Sequence, residues 1–392
     1  MRKKINVSEL RLGMFIDELG GNWLDHPFWK SSFLLKDAGD LKALQTSGVA
    51  ELWIDTAKGL DVVENRVAGE PLAKAVSHES APEARVPLED ELVNARRIQD
   101  KARKAVLSMF QEARMGNALK VGEAAALVDE ISGSVTRNAS AMLSLARLKN
   151  KDDYTYMHSV AVCALMVALG RQLGLEGEEL RSVGMAGLFH DIGKVGIPNR
   201  ILNKPDRLTD EEFEIVKQHP AKGWEILKAS YDVNETALDV CLHHHERVDG
   251  GGYPEKLSGE ALSVSARMGA VCDVYDAITS ERCYKHSWEP AVALRKMAEW
   301  RQGQFDEMIF QAFVKTVGIY PTGTLVKLQS GRLGVVTDQT DGGLLKPKVK
   351  IFFSGKSQGP IPQEIIDLAR SQDSIESIED PASWGFDLSK IA

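Results

Sequence analysis

The sequence has few cysteines, and their placement excludes two kinds of site. Four cysteines are spread through the 392 residues, at positions 163, 241, 272 and 283, and no two form a Cys-X-X-Cys pair. Neither a disulfide framework nor a zinc–thiolate site is therefore indicated, and the pattern is typical of a protein from a reducing compartment.

Long apolar runs are also missing. The longest run, residues 160–169, is about half of the ~20 residues that a membrane-spanning helix needs. The chain begins Met1-Arg-Lys-Lys-Ile5-Asn-Val-Ser, which is unlike the apolar segment of a secretory signal peptide. We therefore expect a cytoplasmic protein that has no membrane partner.

Positive charge is in slight deficit, because 48 Lys and Arg residues are set against 56 Asp and Glu residues, a net charge of −8. This balance disfavours a general nucleic-acid-binding protein, and no nucleic acid partner is predicted. Hydrophobic residues make up 43% of the chain and charged residues 27%, as in ordinary globular proteins. At roughly 100–200 residues per domain, the length predicts two or three domains.

The pattern along the chain predicts a mainly α protein with five segments. They are a small mixed domain at 1–63, a linker at 64–88, a helical connector at 89–148, a long helical domain at 149–318 and a small β-rich extension at 319–392. In the two outer segments, strands are expected at 33–35, 50–55, 324–328, 333–337 and 349–353.

Apolar stripes in the helical connector have two interpretations. Leu92, Ala102, Val106 and Phe110 lie near helical spacing. Such a face either packs in the core or forms the seam of a homodimer. Packing in the core is the favoured interpretation, and a homodimer through helices 89–148 stays open.

Histidines are concentrated in one part of the chain, with seven of the nine between positions 158 and 286. His158 begins one apolar helix, an adjacent His190–Asp191 pair ends the next, and His219 and the run 243–245 follow. A single histidine in such a place most often only packs, but a set on consecutive helices indicates a metal site. Imidazole and carboxylate ligands together suit Fe, Mn, Zn or Ni, and a carboxylate can bridge two ions.

Asp273 lies in a predicted helix, Ser263–Thr279, on a row of small residues. A carboxylate buried in such a row is costly unless it is paired or bound to metal, so a role as metal ligand is favoured. The opposite row of the helix is predicted to lie in the core: Val264, Met268, Val271, Tyr275 and Ile278.

Three segments of the chain resemble the signatures of one known family. Residues 190–198, His-Asp-Ile-Gly-Lys-Val-Gly-Ile-Pro, resemble the HD signature of the HD phosphohydrolase superfamily. Residues 244–254, which end in Gly-Gly-Gly-Tyr-Pro, resemble the extended signature of its HD-GYP subfamily, and residues 267–285 resemble the segment that follows. The resemblance implies an HD-type helical bundle over about residues 150–318. Residues 1–63 resemble an accessory domain often found ahead of such a bundle.

The resemblance implies hydrolysis of cyclic di-GMP, a bacterial second messenger, to linear pGpG and in some members to GMP, through a hydroxide that bridges metal ions. Asp191 would bridge two ions and act in catalysis together with Lys194. The positions that match the family's metal ligands are His158, His190, Asp191, His219, His244, His245 and Asp273. Contacts with the substrate are implied for Lys194, Gly252, Tyr253, Arg282 and Lys285.

One position departs from the family's pattern. Members that hold three ions carry a glutamate one helical turn before the first histidine ligand, and this chain has Tyr154 there. Tyrosine is a poor substitute for a bridging carboxylate. We therefore predict two divalent metal ions per chain, with Fe or Mn favoured.

Two alternatives to this function stay open. In the first, the chain is a cyclic di-GMP receptor or a protein-interaction module with weak catalysis. In the second, it is an HD hydrolase that acts on another phosphoester. Protein partners, where they exist, are expected to bind through the segment around Gly252 and Tyr253 or through residues 1–63.

Overall fold

The computed structural model describes residues 2–19, 33–35, 41, 44, 51–60, 86–147, 154–280, 287–340 and 343–388. The chain divides into two compact units, Met1–Ala81 and Pro82–Ala392. Most of the predicted linker lies outside the described residues, and so does the segment 281–286, which contains the predicted substrate contacts Arg282 and Lys285.

The first unit contains a four-stranded antiparallel sheet with the strand order β1-β4-β2-β3. Its strands are β1 (Arg2–Asn6), β2 (Phe15–Leu19), β3 (Phe33–Leu34) and β4 (Glu51–Asp55). Side chains alternate along a strand, and in β4 this alternation buries Leu52 and Ile54 completely. The strands predicted near 33–35 and 50–55 are confirmed.

Two long helices open the second unit, α1 (Leu88–Arg114) and α2 (Val121–Arg147). They pack against each other and against the next helix, α3 (Tyr154–Gln172). Their apolar stripes are buried by this packing, so that Ala102, Val106 and Phe110 are at most 4% exposed. The core interpretation is confirmed for these residues, and the homodimer stays a prediction.

A bundle of helices follows, with α3 at its centre. Every residue from Met157 to Gly170 is buried, so α3 is enclosed on all sides and carries His158 into the interior. The helices after it are α4 (Gly177–Phe189), α5 (Asn199–Leu202), α6 (Asp210–Val216), α7 (His219–Lys228), α8 (Glu235–His243), α9 (Val264–Thr279), α10 (Pro290–Gln304) and α11 (Glu307–Val317). No helix among the described residues is both long enough and apolar enough to cross a membrane.

Helix α9 matches the predicted helix closely, with one error in its predicted core face. The Ser263 side chain accepts a hydrogen bond from the backbone N–H of Ala266 and so caps the helix. Met268, Val271, Tyr275 and Ile278 are buried as predicted. Val264 was predicted to be core and is 47% exposed, because it is the first residue of the helix and lies at the rim of the bundle.

The chain ends in a five-stranded antiparallel sheet with the order β8-β7-β6-β5-β9. The three strands that the sequence predicts in this segment are confirmed, and β8 and β9 were missed because their residues alternate weakly. The elements are β5 (Leu325–Leu328), β6 (Arg332–Asp338), β7 (Lys348–Ser354), β8 (Gly359–Asp367), β9 (Ile375–Ile378) and the short helix α12 (Pro381–Trp384).

Candidate metal centre

The structure brings all seven predicted metal ligands into one cluster inside the bundle. They come from five places in the fold: the first turns of α3 and α7, the end of α4 with two ligands, the residues after α8 with two more, and the middle of α9. They form overlapping groups whose ligand atoms lie within 4.8 Å of one another: His158, His190, Asp191, His219, His244, His245 and Asp273.

A tight backbone contact explains why Asp191 and His219 lie together. Asp191 follows α4 and precedes a 3₁₀ turn, Ile192–Gly196, which packs on the start of α7. A Cβ atom at Gly193 would lie 1.9 Å from the carbonyl oxygen of His219 and 2.4 Å from the backbone nitrogen of Gly223. Only glycine allows this approach, which places the Asp191 carboxylate beside His219, the first residue of α7.

Four of the histidines are held by hydrogen bonds at Nδ1. In three of them Nδ1 faces a backbone carbonyl oxygen: His190 that of Gly187 at 2.8 Å, His219 that of Val216 at 2.7 Å and His244 that of Val240 at 3.0 Å. In His158, Nδ1 faces Oδ2 of Asp276 at 2.6 Å. Because these oxygens only accept, each Nδ1 carries the proton and the lone pair of each neutral ring is on Nε2.

The four Nε2 atoms point at one another in two pairs. Nε2 of His158 lies 3.2 Å from Nε2 of His190, and Nε2 of His219 lies 3.3 Å from Nε2 of His244. Two lone pairs at this separation cannot hydrogen-bond to each other. A metal ion held by both nitrogens would satisfy the two lone pairs of each pair of neutral rings, and imidazole nitrogen is a good ligand for divalent transition metals.

Asp191 stands between the two pairs. Its Oδ2 lies 3.3 Å from Nε2 of His190 and 3.4 Å from Nε2 of His158, while its Oδ1 lies 3.3 Å from Nε2 of His219. Oδ1 is buried and has no hydrogen-bond partner. One carboxylate oxygen thus faces each histidine pair, which is the geometry needed for a carboxylate to bridge two ions.

The remaining two residues complete two groups of ligands. Oδ1 of Asp273 lies 2.9 Å from Nε2 of His158, and its Oδ2 lies 3.8 Å from Nδ1 of His245. The first group is defined as His158, His190 and Asp273, and the second group as His219, His244 and His245. The donor set of nitrogen and carboxylate oxygen fits iron, manganese or zinc, and the residues present therefore fit a divalent metal centre.

The electrostatics keep three of these donors, Asp191, His244 and His245, in the form that binds metal. Burial raises the pKa of Asp191, but Lys194 and His190 outweigh it and hold the pKa well below its usual range. Burial lowers the pKa of His244 far below its usual value and that of His245 to about 3. At neutral pH the carboxylate is therefore charged and both of these imidazoles are neutral.

Lys194, predicted to act in catalysis and to contact substrate, lies next to the cluster. It belongs to the 3₁₀ turn after Asp191, and its Nζ donates to Oδ2 of Asp191. Its side chain is 18% exposed, so the ammonium borders the cluster at the edge that solvent reaches.

The segment with Gly252 and Tyr253 lies directly against the second group. We define the GYP loop as residues 246–262. A Cβ atom at Gly252 would lie 2.4 Å from Cα of Glu246, so only glycine lets the loop fold back onto the end of α8. This places the Tyr253 ring in a stack on His245, with ring centroids 4.8 Å apart.

A cavity of about 420 Å³ opens beside this stack. His244, His245 and Tyr253 line its inner side, and Phe213 and Lys217 line its rim. The cavity thus reaches two ligands of the second group, His244 and His245.

Two residues with a structural part in the site escaped the sequence analysis. Asp276 is 2% exposed and orients His158, and Glu246 is 3% exposed at the base of the GYP loop. Asp276 lies one helical turn after Asp273 on α9, a spacing that could have signalled it. His243 points away from the cluster, between Asp239 and Glu255.

Comparison with known proteins identifies two domains. Residues 2–124 match a family described as a domain of unknown function (DUF3391), and residues 134–309 match the HD domain. The chain is 54% identical over 390 residues to the cyclic di-GMP phosphodiesterase PA4108 of Pseudomonas aeruginosa, covering 98% of this chain and 94% of that one.

More distant relatives match less than half of the chain. The cyclic di-GMP phosphodiesterase response regulator RpfG of Xanthomonas campestris is 39% identical over 180 residues, which are 44% of this chain and 47% of that one. The 3′3′-cGAMP-specific phosphodiesterase 1 of Vibrio cholerae is 32% identical over 176 residues, 45% of this chain and 41% of that one. Since the first relative matches at this identity over nearly its whole length, and the HD domain matches over the helical bundle, the chain belongs to the HD-GYP family.

Proposed function

We propose that the chain hydrolyses cyclic di-GMP at a centre of two divalent metal ions. The observation that carries the proposal is the position of Asp191, with one carboxylate oxygen facing each of two opposed histidine pairs. A relative that is 54% identical over nearly the whole chain and is named a cyclic di-GMP phosphodiesterase supports the substrate.

The ligand roles follow from the two groups. His158, His190 and Asp273 would hold one ion, the second group would hold the other, and Asp191 would bridge them. Two ions rather than three are proposed because Tyr154 occupies the position of the third-ion glutamate. Iron or manganese suits this mixture of nitrogen and oxygen donors.

The chain's own residues have separate tasks in the reaction. Two bound ions would lower the pKa of water and neutralise charge on the phosphodiester. Lys194 holds Asp191 ionised and places an ammonium group where negative charge develops on the phosphate oxygens. Linear pGpG is the proposed product, with GMP formed only by a second cut.

Substrate binding is assigned to the rim of the centre. Gly252 lets the loop approach the second group, and Tyr253 presents an aromatic ring there. Arg282 and Lys285 are proposed to hold a phosphate by charge-assisted hydrogen bonds, on the basis of the sequence resemblance alone.

The test combines metal analysis with turnover on one anaerobic preparation. The purified chain should hold two iron or manganese ions and convert cyclic di-GMP to pGpG. His244→Ala should lose metal and turnover, whereas His243→Ala, the matched change one residue away and outside the cluster, should keep both. Full turnover in His244→Ala would refute the assigned centre, and three tightly bound ions would refute the count.

A second substrate deserves the same assay because of the relative that is named a 3′3′-cGAMP-specific phosphodiesterase. If cyclic GMP-AMP turns over faster than cyclic di-GMP, the alternative of another phosphoester holds. Tight cyclic di-GMP binding without turnover in a metal-loaded chain would instead support the receptor alternative.

A further inference from the structure

Two charged side chains beneath the GYP loop each keep one buried atom without a partner. Oε2 of Glu246 and Nε of Arg267 are both buried and make no hydrogen bond. Glu246 is at the start of the loop and Arg267 is on α9, just beyond its end. An unpaired carboxylate oxygen and an unpaired guanidinium N–H are a complementary acceptor and donor, and burying either alone is costly.

Both side chains line the same small void. It has a volume of about 10 Å³, roughly the space that one water molecule needs. A water there would accept from Nε–H of Arg267 and donate to Oε2 of Glu246. Such a water lowers the cost of burying both groups, because each then makes its missing hydrogen bond.

The other atoms of the same two side chains hold two points in the later half of the loop. Oε1 of Glu246 accepts a hydrogen bond of 2.6 Å from the backbone N–H of Glu255, just after the Tyr253–Pro254 pair. The Arg267 guanidinium donates at 2.9 Å to the carbonyl oxygen of Gly259 through one nitrogen. It donates at 2.9 Å to Oδ2 of Asp306 through another, and so joins the loop to the start of α11.

We propose that Glu246 and Arg267 form a water-bridged pair that fixes the GYP loop and thereby positions Tyr253 and His245 for the substrate. Neither side chain touches the metal cluster's ligand atoms, so both are positioning residues. Breaking the bridge loosens the loop around Glu255 and Gly259, while the first group of ligands keeps its place in the core.

The test is a double-mutant cycle read by hydrogen exchange of the loop. Arg267→Met keeps the length of the side chain and removes its donors, and Glu246→Gln keeps the shape and replaces the bridging acceptor. Each change should speed exchange of the Gly251, Tyr253 and Gly259 amides about tenfold, as expected for loss of a charged hydrogen bond. If the two residues act through one bridge, the double variant should exchange no faster than the faster single variant.

The effects on KM and kcat distinguish a role in positioning the substrate from a role in stability alone. Arg267→Met should raise the KM for cyclic di-GMP severalfold with little change in kcat and unchanged metal content. The matched control is Arg301→Met, which breaks an exposed pair with Glu307 and should alter neither exchange nor KM. Multiplicative effects in the cycle, or loop exchange at the wild-type rate in Arg267→Met, would overturn the proposal. The exchange readout needs no substrate, so it stays informative even if cyclic di-GMP hydrolysis itself fails.

Discussion

The two groups of ligands differ in how the fold holds them. The first group comes from the enclosed helices α3 and α9 and the end of α4, and His158 and His190 are at most 1% exposed. The second group comes from helix ends, and the His245 side chain is 23% exposed and stacks on a loop tyrosine. The first group is therefore fixed by core packing, and the second depends on local turns and on the GYP loop.

This difference separates two needs of a metal hydrolase. A ligand set buried on all sides holds an ion firmly but leaves the substrate no way in. A set at helix ends, beside a cavity of about 420 Å³, leaves an edge open. Substrate is thus expected to approach the centre from the second group, with Asp191 joining the rigid side to the open side.

The largest effect is expected where the two groups meet. Asp191→Ala removes the carboxylate that has an oxygen within 3.4 Å of a histidine in each group, so activity should fall by more than the roughly 10–100-fold that changes to outer partners of a metal site cause. Metal content should drop for both ions together. Retention of one full equivalent of metal would show that the groups bind independently of Asp191. Circular dichroism should remain helical, since the helices themselves are untouched.

A pair of substitutions contrasts the groups directly. His190→Ala removes a buried imidazole that partly balances the carboxylates of Asp191 and Asp273, and it should cost about 3 kcal/mol of unfolding free energy. His245→Ala removes a partly exposed ring stacked on Tyr253 and should cost about 1 kcal/mol. Urea denaturation of the metal-depleted chains measures both. Equal losses would mean that the two groups are held alike.

The sequence was a good guide to the residues of the centre and a poor one to their division into groups. The cluster could be predicted because histidines and aspartates recur on consecutive helices and because the resemblance to a known family implies the seven positions. The pairing of rings across Asp191 depends on the approach of the 3₁₀ turn to α7 at Gly193, a contact between segments 26 residues or more apart. No local pattern encodes which ring will face which.

The fold likewise contains features that local spacing predicts and features that depend on contacts between distant segments. Strongly periodic helices such as α9 and the regular strands β5 to β7 were predicted, because local apolar spacing determines which face is buried. Val264 was misplaced because its spacing fits the buried row while its position at the helix end does not. Asp276 was missed for a related reason, since its role appears only when α3 packs against α9.

A smaller effect is expected for Asp276, which orients a histidine of the first group but is not a proposed ligand. Asp276→Asn weakens the hydrogen bond that orients His158, and it should lower the affinity for one of the two ions about 10–100-fold. Asp239→Asn is the matched control, because Asp239 faces Nδ1 of His243 at 2.7 Å outside the cluster. Metal titration of both variants is the measurement. Equal weakening of both ions in Asp276→Asn would contradict the division into groups.

The smallest expected effect is a difference in pH dependence between the groups in the metal-depleted chain. Burial lowers the pKa of folded His245 from 6.5 to about 3, so the unfolded chain binds its proton first and stability falls as pH drops from 6.5 towards 3. For His190, burial lowers the pKa, but the Asp191 carboxylate outweighs burial and raises the pKa above 6.5. The stabilising effect of His190 is therefore present below pH 6.5 and is lost as the pH rises through the raised pKa.

His245→Ala should flatten the loss of stability between pH 6.5 and 3, by about 1 kcal/mol after allowance for the exposure of the ring. His190→Ala should leave that slope unchanged and instead remove a fall in stability above pH 6.5. Chemical denaturation below and above pH 6.5 measures both changes, and changes in the same pH range would show that the two groups share one electrostatic environment.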